Sequence, residues 1–131
     1  MLLDTSGLYS FFDDKDFRHA KASAFVESAN VRITTSYVLA KFIPLCQVRK
    51  LNRRKTLEFV ETLVKNPLIK IVWVGENLHN QAFELLQNRL DKTYSLCDAV
   101  SFIVMRERGM SEALTTDKHF EQEGFIKLLE S

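Results

Sequence analysis

Short apolar runs alternate with longer amphipathic stretches along this chain. MLL at the start is one such run, and it breaks at Asp4-Thr5-Ser6, residues suited to opening a helix. From about Asp16 to Ser28, Phe17, Ala20, Ala24, Phe25 and Ala29 fall near helical spacing and predict a helix. VRITTS reads as a short strand leading into the helix of TTSYVLAKFIPL, where Pro44 removes a backbone donor and should bend the axis. RKLNRRK joins that helix to the next, which runs through TLEFVETLVK. IKIVWV reads as the clearest buried strand, ended by Gly75, and NLHNQAFELLQNRL as an amphipathic helix. SLCDAVSFIVM predicts another helix, EALTT a strand, and FIKLL a last strand at the sheet edge. Strands alternating with helices predict an α/β fold with a mainly parallel sheet. Ligands of such sheets bind beyond the carboxyl ends of the strands, near the topological switch point.

One residue conflicts with this pattern. At about 100° per residue, Tyr37, Val38, Leu45 and Val48 fall within about 60° of Lys41, and the polar arc lies around Ala40, Pro44 and Gln47. An ammonium in an apolar stripe costs several kcal/mol unless it is paired or snorkels out on its stem. Lys41 is therefore expected either to snorkel or to have a partner charge.

Composition narrows the field. With 131 residues and 46% hydrophobic content, the chain is expected to form one domain spanning 1–131. Eighteen basic and 17 acidic residues leave a net charge of +1, which excludes a polybasic protein but not a local basic face. No apolar run approaches the ~20 residues needed to cross a bilayer, and the stretch ahead of the first strand is not expected to be a signal peptide. Cys46 and Cys97 lack metal-ligand spacing and read as reduced core residues of a cytoplasmic protein.

Three carboxylates stand where solvated charges do not belong. Asp4 closes the first strand and Asp117 follows EALTT, each at a carboxyl end. Asp98 lies in a run from Leu96 to Met105 where it and Ser101 are the only polar residues. Each also has a purely structural explanation: a cap for Asp4, a capping box from Ser95 for Asp98, a turn for Asp117. Taken together they can converge on one cleft, where carboxylates repel unless a cation is present. Mg²⁺ or Mn²⁺ suits such an oxygen cluster and supports phosphodiester hydrolysis. His19, His79 and His119 are scattered and expected at the surface, and no phosphate loop, nucleophile elbow or dinucleotide fingerprint occurs.

LLDTSGLY, TTSYVLA, YSLCDAVSF, and ALTTDKHF with FEQEGF occur in an order that resembles the PIN-domain family over nearly the whole chain. The nearest subgroup is the toxin half of VapBC toxin–antitoxin systems. The resemblance implies a three-layer α/β/α sandwich and a metal-dependent endoribonuclease using Mg²⁺ or Mn²⁺. It implies catalytic and metal-holding roles for Asp4, Asp98 and Asp117, with Ser6 supporting them. An antitoxin partner and a homodimer are implied as well. The family's remaining acidic position reads TTSYVLAK here, so Lys41 stands where a glutamate is expected. Its ammonium is then expected among the carboxylates, roughly where a metal would go, leaving the fold plausible and catalysis weakened or lost. One base change separates the two codons, and selection against an active ribonuclease or natural degeneration would each account for it.

RKLNRRK carries five basic residues in seven, so Arg53 and Arg54 are candidates for RNA phosphate contacts, as is Lys118 beside Asp117. A solvated helix connection explains the same run. The alternative function is a silent PIN scaffold that binds antitoxin or RNA without cutting. A receiver-like signalling domain would need an aspartate after a central strand, but IKIVWV is followed by Gly75-Glu76.

Overall fold

A computed structural model describes residues 1–131. The chain runs β1 (Leu2–Leu3), α1 (Thr5–Phe12), α2 (His19–Ser28), β2 (Ile33–Thr35), α3 (Ser36–Val48) and α4 (Arg53–Lys65). It continues through β3 (Lys70–Val72), α5 (Glu76–Gln87), α6 (Leu96–Glu107), β4 (Glu112–Leu114), α7 (Lys118–Gln122) and β5 (Ile126–Lys127). The five strands pair in the order β3-β2-β1-β4-β5, all parallel. Connections from β1 step outward to β2 and β3, whereas β4 returns to the other side of β1. The topological switch therefore lies between β1 and β4, and Asp4 and Asp117 follow those two strands.

Alternate strand residues serve opposite faces, as the pleat requires. Leu3, Ile71 and Leu114 pack with α1, α2, α3 and α4 in one core cluster. Leu2, Ile33 and Ala113 pack with α5, α6 and α7 in the other. The result is the expected α/β/α sandwich. Gly7 fixes how closely α1 crosses the sheet, since a Cβ there would sit 1.9 Å from the Leu114 carbonyl oxygen. No helix is long and apolar enough to cross a membrane. Cys46 and Cys97 are free and buried in α3 and α6.

Several boundaries differ from the sequence reading. The second helix starts at His19, because Asp16 forms a turn, accepting from the Arg18 N–H at 2.8 Å. RKLNRRK is not all connection. Asn52 caps α4 by accepting from the Lys55 N–H at 3.0 Å, so Arg53 and Arg54 lie in that helix's first turn. IKIVWV supplies an edge strand rather than the most buried one, with Lys70 exposed and Trp73 65% exposed. Pro44 lies inside α3 at an exposed position, and Ala40, whose carbonyl it leaves without a backbone donor, is exposed as well. The short helix α7 has no counterpart in the sequence reading.

Candidate active site

Asp4 leaves β1 and occupies the N-cap position of α1 without a side-chain capping bond. Its carboxylate is bound instead by the chain beyond β4: Thr115 Oγ1 donates to Asp4 Oδ2 at 2.7 Å. Thr115 in turn accepts from the Asp117 N–H at 3.0 Å and lies 3.2 Å from Ser6 Oγ. Ser6 Oγ also accepts from the Thr116 N–H at 3.0 Å. One buried threonine therefore ties together the two segments that flank the switch point.

Asp98 enters from α6. It is the third residue after Ser95 and completes a capping box, with reciprocal bonds of 3.0 Å between each side chain and the other's N–H. Asp117 caps α7 by accepting from the His119 N–H at 2.9 Å. The capping explanations of Asp98 and Asp117 therefore hold, and the same bonds that cap the helices fix the direction of the carboxylates. Asp4, Ser6, Asp98 and Asp117 line one open cavity with Thr5, Lys41, Leu45 and Thr116.

Burial makes this cavity electrostatically demanding. Asp4 is only 5% exposed, and its carboxyl is pushed up to about 6 by burial, with Asp98 and Asp117 adding to the rise. Bonds from the Thr115 hydroxyl and the Thr5 N–H pull the other way without offsetting it. Cys97, beside the same wall, is pushed up to about 12 by burial and by Asp4, against the field of Lys41. It is a neutral packing group rather than a nucleophile.

Lys41 departs from expectation. It faces the acidic cavity, but it is exposed and forms no ion pair with a carboxylate. The stripe assigned around it is not uniformly buried: Val38 is, Tyr37 and Leu45 are half-buried, and Val48 is 76% exposed. The exposed arc of α3 therefore extends from Ala40, Pro44 and Gln47 to include Lys41. Its stem reaches water along the cavity wall, and snorkelling is the better description.

The group that does touch the carboxylates is His119, in contrast to its expected surface position. Its Nδ1 lies 3.0 Å from Asp98 Oδ2 and 3.3 Å from Asp117 Oδ1, and its Nε2 lies 3.1 Å from Thr93 Oγ1. Asp98, Asp117 and His119 offer ligand atoms within 4.8 Å of one another, a spacing compatible with one metal ion. His79 is likewise engaged, hydrogen-bonded to the Tyr37 hydroxyl, and His19 Nδ1 lies 3.0 Å from the Ser10 carbonyl.

The basic candidates separate. Lys118 is exposed directly beside Asp117. Arg53 and Arg54 instead line a different hollow with Leu57, Glu58 and Glu61. The physical reason is the direction of α3, which starts at the carboxyl end of β2 and runs 13 residues away from it, about 20 Å at 1.5 Å per residue.

The PIN domain family model matches residues 1–125. The chain is 28% identical over 132 residues to the 23S rRNA-specific endonuclease VapC20 of two Mycobacterium tuberculosis strains, covering 98% of this chain and 97% of that protein. A crystal structure of Mycobacterium tuberculosis VapC20, described as a sarcin-ricin loop cleaving toxin, superposes with a TM-score of 0.87 at 27% identity. That superposition covers 99% of this chain and 98% of the other. With a family model covering nearly its full length, this chain belongs to the PIN domain family.

Proposed function

We propose that this chain is a metal-dependent endoribonuclease of the toxin–antitoxin type, weakened by Lys41 at the position where the family carries a glutamate. The observation that carries the reading is the convergence of Asp4, Asp98 and Asp117 on one cavity at the switch point. Its similarity to an endonuclease along nearly the whole of both chains supports the same conclusion.

The residues fit a hard divalent cation. Three carboxylates provide oxygen donors, and the raised Asp4 carboxyl is what uncompensated like charge and burial produce. Asp4, Asp98 and Asp117 would hold Mg²⁺ or Mn²⁺, which when bound supplies Lewis-acid polarisation of a phosphoryl oxygen and acidifies water. Thr115 holds Asp4 Oδ2 and, with Ser6, keeps the β4–α7 turn against α1. Lys118 is exposed and follows Asp117 in the chain, where its ammonium can meet an RNA phosphate. Arg53 and Arg54 are left to contacts remote from the cleft.

Lys41 supports a second reading, a scaffold that binds RNA or an antitoxin without cutting, because it subtracts a carboxylate and adds a positive charge to the cavity wall. Pairing with an antitoxin and self-association as a homodimer belong to the same proposal, and a single monomer mass in light scattering at high concentration would count against the dimer.

Cleavage of RNA by the native chain and by Lys41→Glu, each with Mn²⁺ and with chelator, separates the readings. The enzyme reading expects metal-dependent cleavage that rises in Lys41→Glu and disappears when Asp98→Asn is added. Absence of cleavage in both chains with Mn²⁺ would leave the silent scaffold.

A further inference from the structure

His119 stands between two of the carboxylates, and its bonding pattern determines which kind of partner it is. Nδ1 faces Asp98 Oδ2 and Asp117 Oδ1 at once. An ionised carboxylate only accepts hydrogen bonds, so a nitrogen lodged between two of them carries a proton. A protonated nitrogen has no lone pair for a metal. The opposite ring nitrogen is directed away, to Thr93 Oγ1.

The bonds also select which oxygens remain. On Asp98, the Ser95 N–H and His119 both fall on Oδ2. On Asp117, the His119 backbone N–H donates to Oδ1, and the imidazole Nδ1 approaches the same oxygen to 3.3 Å. Each carboxylate is thereby gripped through one oxygen and leaves the other for the cavity. The imidazole is itself fixed, with Tyr94 packed edge-on at 5.3 Å between ring centroids and the ring mostly shielded from water. It draws on three segments: the turn before α6, the start of α6, and the cap of α7.

We propose that His119 is a positioning residue, bridging Asp98 and Asp117 through a protonated Nδ1, and not itself a metal ligand. The proposal rests on the metal-dependent reading of the cleft given above. It assigns the metal-facing donors to oxygen alone, so the site should favour Mg²⁺ and Mn²⁺ over ions that seek imidazole. Groups that hold ligating carboxylates typically change metal affinity about 10–100-fold when removed.

Two measurements test it. Nitrogen-15 spectra of the labelled, metal-free protein should show His119 Nδ1 protonated, and saturation with Mg²⁺ should leave it so. An unprotonated Nδ1 in the free protein, or loss of its proton as Mg²⁺ binds, overturns the bridge. Calorimetric titration with Mn²⁺ then compares the native chain with His119→Asn and His119→Ala. Asparagine can present an amide N–H near the Nδ1 position but offers no nitrogen lone pair. Retention of Mn²⁺ affinity to within about threefold in His119→Asn, with a loss of about 10-fold or more in His119→Ala, supports positioning. Equal losses in both variants identify a ligand and overturn it. If His119→Ala does not fold, the Asn variant and the Mg²⁺ spectrum still decide. A native chain and a Lys41→Glu variant that both take up no Mn²⁺ refute the metal reading, and the metal-free spectrum then decides the bridge by itself.

Discussion

Replacing Asp4 with asparagine should stabilise the metal-free protein, although it removes a candidate catalytic group. The carboxyl ordinarily titrates near 3.8 and is pushed up to about 6 in the fold. Two units correspond to about 3 kcal/mol of cost for keeping Asp4 ionised at neutral pH. Asparagine keeps the acceptor for Thr115 Oγ1 and carries no charge to repel Asp98 and Asp117. The sign follows from proton linkage. Between about pH 4 and 6 the folded chain holds more protons on Asp4 than the unfolded chain does, so this contribution to stability falls as pH rises and then levels off. Urea unfolding in chelator from pH 4 to 8, for native and Asp4→Asn chains, isolates the group by difference. The variant's advantage should be near zero at pH 4 and reach about 2–3 kcal/mol by pH 7. A variant that is less stable at neutral pH, or whose advantage does not change with pH, would refute the argument that burial and like charge raise Asp4.

Glu123→Gln should cost about 1–3 kcal/mol: the carboxylate is 4% exposed between Arg89 and Arg106, but water reaches both arginines and takes over part of the loss. Burial raises Glu123 and the bonds from Arg89 and Arg106 outweigh it, so its folded value lies below the ordinary 4.5. Its contribution is present above pH 4.5 and is lost as pH falls through the folded value; acid unfolding that is identical in the native and glutamine chains would exclude this. Gly7→Ala should cost about 3 kcal/mol or more, because the clashing atom is a backbone oxygen that cannot swing aside, and an unchanged melting temperature would contradict the close crossing of α1 over β4. Lys41→Glu should melt lower in chelator and recover in Mn²⁺, and its gain in Mn²⁺ affinity should shrink as salt rises, since an exposed, unpaired ammonium acts through a screened field. A salt-independent gain would mean that the introduced carboxylate ligates the ion directly rather than through its field.

The alternation of strands and helices was legible because each strand is a short apolar run bounded by capping residues. Even two-residue β1 and β5 were marked, by Leu2-Leu3 and by FIKLL. IKIVWV was misplaced for a physical reason: an unbroken apolar run reports affinity for a core, not the number of neighbouring strands. With β3 at the edge, Ile71 is buried while Trp73 is left in solvent. Helix α7 was hidden because four of its five residues, KHFEQ, are polar. Its evidence lies in three dimensions, in the Asp117 cap and in Phe120 packing on Phe102 at 5.0 Å.

The three aspartates are legible since each violates the local pattern, at a strand end or within a nearly apolar helical run, and taken together they call for a common reason. Lys41 violates a pattern too, but a helical wheel alone does not give it a partner charge. A wheel shows which face of α3 is apolar; it does not show where the covering layer stops, and here it stops short of Val48 and Lys41. His119 showed no anomaly at all, being one polar residue in a polar segment. The two errors concern the same requirement. Converging carboxylates need a positive or proton-donating partner, and the sequence offered the nearest unexplained cation, whereas the fold meets part of that need with an imidazole carried in by α7. Because Lys41 is not bonded into the cluster, the arrangement of Asp4, Asp98 and Asp117 does not depend on it. What the lysine alters is the charge of the cavity wall, and reversing that charge leaves the arrangement of the three carboxylates in place.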